Sequence, residues 1–181
     1  MADDFKAIHS LVRWDKQGEL DAALSSPQVA NIADPGNGNR CIHIAAQNGN
    51  LSMCKLLKSK GADVSAKNNN GQTALHMAVA YGLVEVADFL VSAGADKEAT
   101  NGDGFKAISG LEGDYGIPSR IGKAQTADEL VAVFASAAAL PAGSLDKAKV
   151  AGAGMQKKRT AKEIWSADVA AKFAELVSSL A

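Results

Sequence analysis

Residues 38–68, GNRCIHIAAQNGNLSMCKLLKSKGADVSAKN, and residues 71–101, GQTALHMAVAYGLVEVADFLVSAGADKEATN, align without a gap. Gly38, His43, Gly49, Gly61 and Asp63 recur as Gly71, His76, Gly82, Gly94 and Asp96, a period of 33 residues. Identities in register on turn-forming and small residues point to a duplicated unit, and a period in this range marks a repeat array.

Each unit carries the same physical pattern. In the first, Ile42, Ala45 and Ala46 precede Gly49, and Leu51, Cys54, Leu56 and Leu57 follow it. Apolar residues at helical spacing on both sides of a glycine predict two short helices, with the glycine taking a positive φ at the end of the first. Gly61-Ala62-Asp63 ends the second helix. The polar run Lys67-Asn68-Asn69-Asn70-Gly71 has turn chemistry, because Asn and Gly tolerate left-handed backbone. Hairpin loops are therefore expected near 35–40, 67–72 and 100–105.

These residues resemble the ankyrin repeat, whose pattern runs G-x-T-P-L-H-x-A-A-x-x-G and ends L-L-x-x-G-A-D. The second unit keeps Thr73, Leu75, His76, Ala78, Gly82, Leu90 and Gly94-Ala95-Asp96, while Arg40 and Cys41 replace the Thr-Pro pair in the first. The resemblance implies an all-α solenoid of helix pairs with projecting hairpins. Such units bury their apolar faces only against neighbours, so two alone need flanking partners. Residues 4–34 are expected to form a divergent first repeat. There, Lys6-Ala7-Ile8-His9 mimics the start of a unit and Gly18 to Leu24 the second helix, with about three extra residues between them. A third repeat begins at Gly104-Phe105-Lys106-Ala107-Ile108-Ser109 and departs over 113–122, where Pro118 falls.

Thr126 and Glu129 form a capping box ahead of Leu130, Val131, Val133 and Phe134, predicting a helix over 127–139 that closes the stack. Residues 1–140 thus read as one ankyrin-repeat domain. The Ala-, Gly- and Lys-rich stretch 141–156 reads as a linker unable to bury a core. Residues 157–181 read as an amphipathic helix with a second capping box, Thr160 and Glu163, and an apolar contact stripe of Trp165, Val169, Phe173, Leu176 and Leu180. That stripe is expected to dock on the repeat body or on another protein. Residues 146–181 are net +3 and residues 1–145 net −4.

Composition narrows the function. The 181 residues are 47% apolar and 22% charged with a net charge of −1, which supplies no general attraction to nucleic acid or anionic membrane. No apolar run approaches the roughly 20 residues needed to cross a bilayer, and Asp3 and Asp4 stand where a signal peptide would be basic. A soluble chain in the cytoplasm, with the nucleus as an alternative, is expected, with neither nucleic acid nor membrane insertion among its interactions. The two cysteines, Cys41 and Cys54, are expected to be reduced core thiols.

The chemistry candidates all have structural readings. The resemblance gives His43 and His76 a backbone-pinning role, and no Cys, Asp or Glu recurs beside both to complete a metal site. His9 takes the same reading. Gly116 to Ala124 fails as a phosphate-binding loop: its spacer is one residue too long, Ala124 lacks the hydroxyl, and no apolar strand precedes it. Lys157-Lys158-Arg159 beside Thr160 reads as a solvated helix entry, with nuclear import or phosphorylation as the weaker alternatives. No metal, cofactor or catalytic residue is expected.

The resemblance implies that a partner protein binds at the hairpin tips and the exposed side of the first helices. By register those positions are Asn39, Gln47, Asn48, Lys67, Asn69, Asn70, Gln72, Ala80, Tyr81, Thr100, Gly102, Asp103 and Phe105, with Tyr81 and Phe105 as aromatic anchors. A non-catalytic adaptor or scaffold is the leading expectation. A fixed subunit of a larger assembly, clasping neighbours with the repeats and the last helix, is the second. An enzyme or ligand-regulated switch is the third.

Overall fold

The structure, a computed structural model, describes residues 4–140, 144–146, 149–152 and 166–179. The chain divides into two compact units, Met1–Glu112 and Gly113–Ala181.

The first unit is built from short helices: α1 (Asp4–Arg13), α2 (Gln17–Ala23), α3 (Pro27–Ala30), α4 (Cys41–Gln47), α5 (Leu51–Ser59), α6 (Ala74–Ala80) and α7 (Val84–Ser92). At ten residues or fewer, none would persist alone in water, where isolated helices need about 12–15 residues to be even marginal. Stacking supplies the missing stability. Helix α1 packs on α4, α4 on α6 and α6 on a 3-10 turn at Ala107–Ser109, making one rank; α2, α5 and α7 make a second. Between the ranks lie Val12, Leu20, Ile42, Met53, Cys54, Leu57, Leu75 and Leu90, each nearly or fully buried. Local chemistry fixes the ends: Asn50 Oδ1 accepts from the Met53 amide at 2.9 Å to start α5, and Thr73 with His76 caps α6 reciprocally.

The first repeat departs from expectation in one respect. No extra residues separate its helices: α1 is followed by Trp14 and Asp15 as α4 is by Asn48 and Gly49, and α2 opens at Gln17 where α5 opens at Leu51. Asp15, at φ +54°, takes the left-handed position that Gly49 and Gly82 fill at +71° and +60°. The short polar side chain makes that tolerable, and its Oδ1 accepts from Asn50 Nδ2 at 2.6 Å. Gly18 lies inside α2, as expected.

At the other end the third repeat stops at its first turn. Ser109 stands where the histidine would be, and Gly110 follows at φ +82°. Its backbone runs against α6 so closely that a Cβ there would lie 3.2 Å from the Ala80 Cα.

The second unit contains α8 (Ile117–Lys123), α9 (Ala127–Ala138), a helical stretch at 149–152 and α10 (Ala167–Ser178). Pro118 does not break the chain but sits in the first turn of α8, where its missing N–H costs nothing. The expected closing helix α9 belongs here: Leu130, Val133, Phe134 and Ala137 share a core with Ile117, Ile121, Val150, Val169 and Phe173. Phe134 and Phe173 meet edge to face at 6.2 Å. The two compact units divide at 112/113, and α9 packs with α8 before it and with Val150, Val169 and Phe173 after it.

The stretch expected to be a coreless linker contributes Val150, 1% exposed, and the half-buried Leu145. Asp114 holds this unit's entry, accepting from the Gly116 amide at 3.1 Å and from Lys149 Nζ at 2.6 Å. Of the expected C-terminal stripe, Val169 and Phe173 are buried and Leu176 is half-buried, all within the second unit. Trp165, Leu180 and the Thr160–Glu163 capping box lie outside the described residues.

All described regular structure is helical. Two isolated antiparallel bridges, Ala33 to Arg40 and Thr100 to Lys106, mark hairpin stems.

Candidate partner-binding surface

Three hairpins project in register. They close through Asp34 N to Asn39 O at 2.8 Å, Asn68 N to Gln72 O at 2.9 Å, and Asn101 N to Phe105 O at 3.0 Å. The tips also bond to one another. The Asn69 amide donates to Asn37 O at 3.0 Å and its side chain to Gly36 O at 3.1 Å, while Gly102 N donates to Asn70 O at 2.8 Å. Lys67 Nζ reaches Thr100 O at 2.8 Å. Asn68 Nδ2 bridges Asn39 Oδ1 at 2.9 Å and Gln72 Oε1 at 3.1 Å. Five expected binding residues, Asn39, Lys67, Asn69, Asn70 and Gln72, thus already carry scaffold bonds through side chain or backbone. Asp103 is exposed, its amide donating to Asn101 Oδ1 at 3.1 Å.

The rank containing α1, α4 and α6 carries exposed side chains just beyond its helix ends, and Phe105 lies at the opposite end of α6. Tyr81, directly after α6, is 40% exposed, and Phe105, whose carbonyl lies against the start of α6, is 38% exposed. Gln47 and Asn48 are both exposed, and Gln47 Nε2 donates to the Tyr81 hydroxyl at 3.3 Å. That bond holds an aromatic side chain of one repeat with an amide of the preceding one.

Trp14 stands just beyond α1 in the same way and is absent from the sequence-derived set. It is 70% exposed, the most of any large apolar side chain described. The signal was present in the spacing: Trp14, Asn48 and Tyr81 each stand five residues after His9, His43 and His76. Placing an insertion between α1 and α2 hid it.

The histidines are internal. His43 Nδ1 accepts from the Arg40 amide at 3.1 Å and His76 Nδ1 from the Thr73 amide at 3.1 Å, which leaves each Nε2 to carry the proton. It donates to Gln72 O at 3.1 Å and to Phe105 O at 3.0 Å respectively, tying each helix to the next hairpin. His9 Nε2 bonds Ile32 O at 3.1 Å. Burial holds all three below the ordinary value of 6.5, against the pull of these backbone bonds. Burial pushes the Cys41 and Cys54 thiols up to about 12, far from a poised nucleophile. Among the described residues no group of three or more His, Cys, Asp or Glu is placed to hold a metal ion, and no helix is long and apolar enough to cross a membrane.

Stacked helix pairs bound by hairpin-to-hairpin hydrogen bonds define a helical repeat solenoid. The chain belongs to the ankyrin-repeat family: the family described as "Ankyrin repeats (3 copies)" matches residues 6–101. Among solved structures it is similar to the ankyrin repeat domain of Bcl-3, described as a unique member of the IkappaB protein family. That likeness has 30% identity and a TM-score of 0.54, and covers 56% of this chain and 45% of the other. The chain therefore spans less than half the length of that structure. No curated protein matches the sequence. Ankyrin repeats are generally protein–protein interaction modules and are typically non-catalytic.

Proposed function

We propose that this chain is a non-catalytic adaptor that holds a partner protein against the exposed ends of α1, α4 and α6 and the adjoining hairpin tips. The observation that carries the reading is the exposed Tyr81 steadied by Gln47 across the repeat boundary. Exposed aromatic side chains held in place are the residue type that dominates binding hot spots. Trp14 adds apolar area beyond α1 and Phe105 adds it at the hairpin beside the start of α6, and Asp103 supplies a charged rim. The free thiols of Cys41 and Cys54 fit a reducing, cytoplasmic setting.

A photo-reactive amino acid at position 48 tests this in cells, with position 55 on the exposed side of α5 as the control. The reading expects a discrete cross-linked protein from position 48 and not from 55. Equal labelling from both positions, or none from 48, rejects it.

A further inference from the structure

The row at the ends of the inner helices has a period, and the period selects an occupant. Trp14, Asn48 and Tyr81 are the first residues beyond α1, α4 and α6, and these helices pack side by side. Neighbouring packed helices lie about 8–10 Å apart, so Trp14 and Tyr81 are about 16–20 Å apart with Asn48 midway. A polyproline II helix has three residues per turn and a rise of about 3.1 Å, hence a pitch of about 9.3 Å. Every third residue of such a peptide, running across the repeats, meets an equivalent position. Two turns link Trp14 to Tyr81.

The other extended or helical shapes match less well. In a β-strand, residues three apart point to opposite faces. An α-helix has a heptad repeat of about 10.5 Å, but its carbonyls are used internally. The row offers donors: the Trp14 indole N–H, and the Asn48 side-chain amide, which has no hydrogen-bond partner among the described residues. Polyproline II leaves its carbonyls unbonded, and aromatic side chains flanked by such donors are how proline-rich segments are held elsewhere. The strip from Gln47 to Ser52 carries no charge. Arg13, beside Trp14, is exposed and has no carboxylate in ion-pair range among the described residues.

Resting on the adaptor reading, we infer that the row Trp14–Asn48–Tyr81 docks a proline-rich segment of a partner protein in polyproline II conformation, with an acidic residue of that segment at the Arg13 end. Trp14 and Tyr81 stack on prolines two turns apart. Asn48 bonds a carbonyl between them.

The test is fluorescence anisotropy with the full chain and three labelled peptides: one glutamate followed by about nine prolines, a glycine/serine peptide of equal length, and an amphipathic Ala/Leu/Lys helix. The inference expects saturable binding of the first alone. Trp14→Ala and Tyr81→Ala should each weaken it about tenfold or more; Arg13→Glu should weaken it and Val131→Ala should not. Asn48→Arg, a change at an exposed position, serves as a second block, and circular dichroism verifies that each variant keeps its helix content. Absence of saturable binding overturns the inference, as does equal binding of either control peptide or indifference to Trp14, Tyr81 and Asn48. A partner cross-linked at position 48 that the proline peptide fails to displace overturns this inference and leaves the adaptor reading standing.

Discussion

His76 Nε2 donates to the carbonyl of Phe105, 29 residues away, at 3.0 Å, as His43 does to Gln72 at 3.1 Å. One side chain thereby caps its own helix and fixes the hairpin of the following repeat, so scaffold and candidate surface share an atom. The tie places Phe105 beside the start of α6, with Tyr81 at its other end.

Removing this tie should cost stability and no chemical activity. His76→Ala leaves the Thr73 amide without its acceptor and the Phe105 carbonyl with the Asn101 amide alone, and the unpaired buried amide should cost about 1–3 kcal/mol. Urea denaturation checks it; a variant as stable as the parent contradicts the role.

Acid should loosen the same ties. His9, His43 and His76 are all held below 6.5 by burial, so the unfolded chain takes up protons before the folded one does. The sign is that of a depressed pKa: stability is complete above about pH 6.5 and is lost as pH falls below it towards the folded-state values. The urea midpoint should be lower at pH 5.5 than at pH 7.5, and His76→Gln should flatten that difference.

Two glycines should respond oppositely to alanine. Gly38 is at φ +73° and a Cβ there would lie 2.7 Å from the Asn69 amide nitrogen, inside the tip-to-tip bonds. Gly38→Ala should therefore destabilise by more than about 1 kcal/mol. Gly18 lies in α2 with open space around it, and Gly18→Ala should be neutral or stabilise by up to about 1 kcal/mol. Paired thermal melts decide both.

Cys41 and Cys54 should resist alkylation in the native state at pH 8, because both are buried with thiols pushed up to about 12. Both should react in denaturant. Rapid modification of the native chain would show that α4 and α5 open readily.

The division at 112/113 predicts where the chain can be cut. A chain ending at Glu112 should keep a cooperative melt, whereas one ending at Leu140 strips Val150, Val169 and Phe173 from Leu130 and Phe134 and should expose apolar surface to a hydrophobic dye. Equal dye binding by the two chains would argue against the boundary.

The repeats were legible because glycine and histidine positions recur where backbone geometry demands them. The Thr126–Glu129 box was legible for the same reason, and Thr126 Oγ1 does accept from the Glu129 amide at 3.2 Å. Asp15 was not, since a left-handed aspartate leaves no trace that distinguishes it from a surface charge, and misplacing that turn hid Trp14. Val150 was hidden by its Ala-, Gly- and Lys-rich neighbours. Tertiary packing from α9 and α10, not local periodicity, buries it. The turn chemistry located the hairpins but not the bonds between them: Asn39, Lys67 and Asn69 bond to neighbouring hairpins.

The central claim is that the exposed ends of α1, α4 and α6, with the adjoining hairpin tips, are the binding surface. Isothermal titration of the full chain against the protein captured through position 48 tests it most directly, comparing the parent with a Trp14→Ala/Tyr81→Ala/Phe105→Ala variant. Three anchor residues at more than about 1 kcal/mol each predict at least a hundredfold loss of affinity with the melting temperature preserved. An affinity unchanged within twofold would place the interface elsewhere and contradict the account.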